Sequence, residues 1–166
     1  MTDTRHRPAT RRTGPLEAAQ AALASEHAAV YGYGVVGGRI GDDRLREARE
    51  GYAAHRARRD ALRRTVRGLG GDPVAAAPAY ALPFPVPDAA AAVRLAAELE
   101  NRVAAVYADL VRAADGPLRR EAAGALREAA VRGVRWRGDG VAFPGLAERL
   151  TAPGASATPT GAPGTL

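Results

Sequence analysis

The chain has 166 residues, enough for one domain with tails, and a domain of this size can bury a working core without staples. It holds no cysteine, and all 24 of its basic residues are arginine, so disulfides, thiolate ligands, cysteine nucleophiles and lysine Schiff bases are excluded. Half of the formal net charge of +6 sits on residues 1–14, where Arg5, Arg7, Arg11 and Arg12 outweigh Asp3.

That first segment reads as a disordered, solubilising basic arm. No stretch approaches the roughly 18 uncharged apolar residues of a membrane span. The first apolar segment is broken by Glu17, Gln20, Glu26 and His27, so it lacks a signal-peptide core. A soluble, cytoplasmic protein is the expectation, with no membrane partner.

Four helices follow in order. Thr13 or Gly14 caps the first, Pro15 opens it, Leu16, Leu23 and Val30 repeat along it, and Gly37 and Gly38 close it. Asp42 or Asp43 caps the second, whose face carries Leu45, Ala48, Tyr52, His55, Leu62 and Val66. Asp88 caps the third, striped with Leu95, Leu99, Val103, Val106 and Leu110. Asp115 caps the fourth, Pro117 opens it, and Leu118, Ala122, Ala125, Ala129 and Trp136 lead towards Gly138 and Gly140. The expected ranges are 15–39, 43–69, 88–114 and 117–140.

Helices one and two are separated by a few residues, as are three and four, so each pair is expected to form an antiparallel hairpin. Between the pairs lies GGDPVAAAPAYALPFPVP, with five prolines in 18 residues. Proline-rich chain extends about 3.1 Å per residue, so this stretch reaches on the order of 50 Å, against about 37 Å for a 25-residue helix. It is long enough to run the length of a bundle and start the third helix at the far end. The bundle is expected over 15–145, then a short helical turn at 146–150 within a 146–166 segment whose Ala/Pro/Gly/Thr tail has no periodicity.

Polar residues interrupt the buried stripes. Glu26 and His27 flank the line from Leu23 to Val30, so at least one faces inward. His55 shares a line with Ala48 and Leu62, and Glu100 is ringed by Ala96, Val103, Ala104 and Tyr107. Glu128 and Arg132 border the stripe of the fourth helix. The helix midpoints fall near 27, 56, 101 and 128. Glu26, His55, Glu100 and Glu128 therefore share one height, with His27, Tyr52, Tyr107 and Arg132 completing a polar layer.

Two hairpins, a long crossover and a carboxylate–imidazole layer at mid-bundle resemble the ferritin-like superfamily. SEHAAVYGYGVVG, YAAHRARRDALR, PAYALPFPV, ELENRVAAVYADL and LREAAVRGVRWRG are similar to a group of uncharacterised actinobacterial proteins with a ferritin-like domain of unknown function. The resemblance implies an all-α, ferritin-like four-helix bundle. Di-iron members of the superfamily carry a glutamate on helices one and three and Glu-x-x-His on two and four. On those positions Glu26, His55, Glu100 and Glu128 match, but Tyr52 and Val131 stand where a glutamate and a histidine belong.

Three readings of the layer follow. The leading one is a non-catalytic relic of a di-iron bundle with no cofactor, its acids neutralised by Arg132, His55 and His27. The second is an oxidase- or peroxidase-like site for one Fe, Mn or Zn ion on Glu26, His55, Glu100 and Glu128. The third is a small-molecule pocket oriented by the layer. A homodimer is compatible with the pattern. Arg56, Arg59 and Arg63 share one face of the second helix and would suit an acidic partner or nucleic acid, of which nucleic acid is disfavoured.

Overall fold

The computed structural model of the chain describes residues 13–138. Most of the expected basic arm, the helical turn at 146–150 and the tail beyond it lie outside the described residues. Within them the chain is all-α, with helices α1 Pro15–Gly37, α2 Asp42–Gly68, α3 Ala89–Ala113 and α4 Gly116–Arg137, and no strand.

The helix ends show which punctuation acts. The Asp88 carboxylate accepts a hydrogen bond from the Ala91 amide at 2.7 Å and satisfies a free donor of the first turn of α3. Asp115 also stands at the N-cap of α4, but its carboxylate pairs with Arg119 at 3.0 Å instead of capping. Asp42 and Asp43 are not caps; Gly41 takes that place, and both acids sit in the first turn of α2, where their charge meets the positive end of the helix. α4 stops at Arg137 rather than 140 because Gly138 turns left-handed, with φ 86°, and its amide bonds back to the Val134 carbonyl at 2.8 Å.

Three helix pairs pack closely: α1 with α2, α1 with α3, and α3 with α4. In the first, Glu26 meets His55 and Tyr33 meets Gly51, so the helices run antiparallel. In the second, Gly32 meets Leu99 and Glu26 meets Tyr107, again antiparallel. In the third, Glu100 meets Arg132, and Arg137 reaches Asn101.

The segment between α2 and α3 lies against α1. Gly71 abuts Leu16, the Asp72 carbonyl accepts from the Gln20 amide group at 2.5 Å, and the Val74 amide donates to the Gln20 side-chain oxygen at 2.9 Å. Further on, the Tyr80 ring lies 5.6 Å from Tyr31, and Leu82, Phe84 and Val86 pack against the core. An extended chain cannot satisfy its own backbone groups, so Gln20 supplies both a donor and an acceptor to it.

Two apolar clusters fill the interior. One gathers Leu23, Leu62, Val66, Val103, Tyr107 and Leu110 around the alanines of α1 and α4. The other gathers Tyr33, Val36, Leu95, Leu99 and Trp136, with Ala48 and Ala96 between them. Alanine stripes let the helices approach, and the large aromatics fill what remains.

The glycines of YGYGVVGG divide by what faces them. A Cβ on Gly32 would come within 2.6 Å of Leu99, and one on Gly51 would collide with the Tyr33 ring, whereas one on Gly34 meets no atom within 4 Å. Gly34→Ala should therefore raise stability by about 0.5–1 kcal/mol, the helix-propensity gain. Gly51→Ala should lower it by about 1–3 kcal/mol through overpacking. Urea unfolding at neutral pH measures both, and equal effects of the two substitutions would contradict this assignment.

Candidate functional site

Glu26, His55 and Glu100 are at most 1% exposed and lie between the two apolar clusters. Each stands on the inward stripe of its helix, as its spacing from Leu23, Leu62 and Val103 requires. The His55 ring bridges the two acids: Nδ1–H donates to Glu26 Oε2 at 2.7 Å and Nε2–H donates to Glu100 Oε1 at 3.1 Å. A neutral imidazole has only one N–H, so a ring facing two carboxylates in this way is the doubly protonated imidazolium.

Tyrosines and an arginine close the ends. The Tyr107 hydroxyl donates to Glu26 Oε1 at 2.7 Å. At the other acid, Glu100 Oε1 also accepts from the Tyr33 hydroxyl at 2.5 Å and from Arg132 Nε at 2.8 Å. Trp136 Nε1–H donates to the Tyr33 oxygen at 2.8 Å, and the Tyr33 ring lies 4.9 Å from the His55 ring. Arg44, from the first turn of α2, lies 4.0 Å over Trp136 and donates to the Arg135 carbonyl in the last turn of α4 at 3.1 Å. Two negative charges on Glu26 and Glu100 thus meet two positive charges on His55 and Arg132. The buried network is neutral.

Its titration follows from this pairing. Burial alone would lower the His55 value, but the hydrogen bonds to Glu100 and Glu26, with the charges of both, outweigh it and push the imidazole up to about 9. Burial would raise Glu100, yet His55 and Arg132 hold it below the usual carboxylate range. Burial and the neighbouring carboxylates drive the Tyr33 and Tyr107 phenols upward, so both stay neutral donors.

The expected layer is thus only partly assembled by hydrogen bonds. Glu26, His55, Glu100, Tyr107 and Arg132 are joined. His27, one residue and so about 100° around α1 from Glu26, faces the α2–α3 segment and donates from Nε2 to the Val74 carbonyl at 3.2 Å. Burial, with Arg59 and Arg63 nearby, lowers its value and keeps it neutral, so it offsets no acid. Glu128 has the right height but the wrong side of α4: the inward stripe is Ala125 and Ala129, and the Glu128 carboxylate pairs at the surface with Arg58 at 2.6 Å. Tyr52 sits at the α1–α2 margin with Ala48 and Arg49, and hydrogen-bonds to no member of the network. Tyr33 and Trp136 were not among the expected site residues, although Tyr33 lies seven residues after Glu26 and Trp136 four after Arg132, on the same helix faces.

A family model described as a domain of unknown function, DUF4439, matches residues 18–148. The chain belongs to the DUF4439 family. Its fold is similar to the crystal structure of a conserved hypothetical protein, rv2844, from Mycobacterium tuberculosis, with 36% sequence identity, a TM-score of 0.72, and coverage of 75% of this chain and 96% of that one. No protein of curated description matches.

The donors in this DUF4439 chain do not fit a pair of metal ions. The two nitrogens of His55 point in opposite directions, each to a different carboxylate, so no single point faces both acids and the ring. Among the described residues no three His, Asp or Glu side chains are grouped to hold one ion. Val131, where the resemblance asks for a histidine, is 45% exposed, and Arg132 brings a cation onto Glu100. One buried oxygen, Glu100 Oε2, has no hydrogen-bond partner.

The pH dependence of stability tests the bridging proton. His55 is raised from 6.5 to about 9 on folding, so its contribution is complete below about pH 6.5 and is lost as pH climbs through about 9. The loss is on the order of 3 kcal/mol. Glu100, lowered from 4.5, contributes stability that is present above that value and lost as pH falls through its lower folded value. His27, lowered from 6.5, adds to the decline on the acid side. Urea unfolding across pH 4–9.5 should show a fall above pH 6.5 that vanishes in His55→Gln. A flat wild-type curve between 6.5 and 9 would refute the imidazolium.

Proposed function

We propose that this chain is a ferritin-like bundle whose mid-height layer is tied by a proton on His55 in place of metal, so that it serves as a non-catalytic scaffold derived from a di-iron fold. The observation that carries the reading is the His55 ring with one carboxylate on each nitrogen, at 2.7 and 3.1 Å. Such a ring has no free lone pair for a cation, and the charge it brings is the one a metal would otherwise supply. The ferritin-like assignment is supported by the antiparallel pairing of α1 with α2 and by the extended segment that follows α1 before α3 begins.

The alternative is a single Fe, Mn or Zn ion with oxidase- or peroxidase-like activity. It is favoured by one feature, the unpartnered Glu100 Oε2. Elemental analysis of protein purified without a histidine tag, before and after incubation with each metal, separates the two. The scaffold reading expects far less than one equivalent and an unfolding midpoint indifferent to chelator. Metal near one equivalent that disappears in His55→Ala would overturn it.

A further inference from the structure

The outer side of α4 holds a second concentration of charge, of which the buried layer uses only Arg132. Arg127, Glu128, Val131, Arg132 and Arg135 line an open cleft of about 180 Å³. Arg127, Val131 and Arg135 recur every fourth residue and stand in one row, with about 12 Å of helix rise from end to end. Val131 in the middle is 45% exposed. Burying its methyl groups needs an apolar neighbour that the described residues do not provide there.

The charges are unevenly matched. Glu128 is the one acid in the lining, and Arg58 already holds its carboxylate at 2.6 Å. Arg132 uses Nε on Glu100 at 2.8 Å, while its Nη1 stays 3.9 Å from Glu128, beyond hydrogen-bonding distance. Arg127 and Arg135 are exposed at the two ends of the row. Guanidinium groups present planar forks that match the paired oxygens of carboxylates and phosphates.

We infer that this cleft binds a small elongated molecule with an oxyanion at each end and an apolar middle, its ends on Arg127 and Arg135 and its body over Val131. The aliphatic dicarboxylates are the simplest such class. Arg132 stands beside the body, so occupancy is felt at Glu100 through the same guanidinium. The site does not depend on the scaffold reading, since neither end residue touches the buried network.

Suberate, a linear dicarboxylate, is the probe, titrated into the full chain at low ionic strength and followed by amide NMR shifts. Saturable binding should shift α4 resonances, and octanoate, with one charged end, should bind about ten-fold more weakly, the loss of one charge-assisted contact. Arg127→Ala/Arg135→Ala should weaken suberate by at least that factor, while Arg64→Ala/Arg67→Ala, which removes the same charge from an exposed part of α2, should leave it unchanged. Circular dichroism of both variants reports that they fold. No saturation by about 10 mM, equal losses in the two double variants, or octanoate binding as tightly as suberate would each overturn the assignment.

Discussion

Two carboxylates sit at the centre of this bundle with essentially no access to water, and the groups around them supply hydrogen bonds and positive charge. Moving an isolated carboxylate into a protein interior costs several kcal/mol even after relaxation. Here the His55 imidazolium gives one N–H to Glu26 and the other to Glu100, and Arg132 reaches in from the edge of α4 to balance the second charge. The tyrosines contribute donors without charge. Removing any one partner leaves the others mismatched, so the layer behaves as a unit rather than as a sum of bonds.

That unit joins all four helices. Glu26 comes from α1, His55 from α2, Glu100 and Tyr107 from α3, and Arg132 and Trp136 from α4. The apolar clusters on either side are rich in alanine, and alanine stripes slide past one another with little penalty because successive turns look alike. Hydrogen bonds with fixed partners do not tolerate such a slip. The polar layer therefore has fixed partners on all four helices where the alanine stripes have none.

Helix existence and order were legible because punctuation and periodicity agree: Pro15, Pro117, Asp88 and the closing glycines bound segments whose stripes repeat at three and four residues. The depth of the layer was legible too, since helix midpoints have the same height whichever way a helix runs. Rotation about the helix axis was not. Glu26 and His27 satisfy the spacing rule equally well, and only the α2–α3 segment, lying along α1 with the Val74 carbonyl in reach, decides that His27 turns away. Glu128 and Arg132 both border the α4 stripe, and what separates them is reach: a long arginine crosses from the margin to Glu100, whereas the shorter glutamate finds Arg58 outside. The role of Tyr33 was hidden behind its glycine neighbours, because its hydroxyl belongs to the layer while its ring belongs to the apolar cluster beyond.

The pairing of α2 with α4 is not among the closely packed ones. It is spanned by arginines, Arg44 to the carbonyls at the end of α4 and Arg58 to Glu128, with a small groove beside Arg58 that Tyr107 also lines. Ions in solution weaken such half-exposed bridges far more than they weaken dry contacts. Added salt therefore acts first on this edge of the molecule and least on the dry layer behind it.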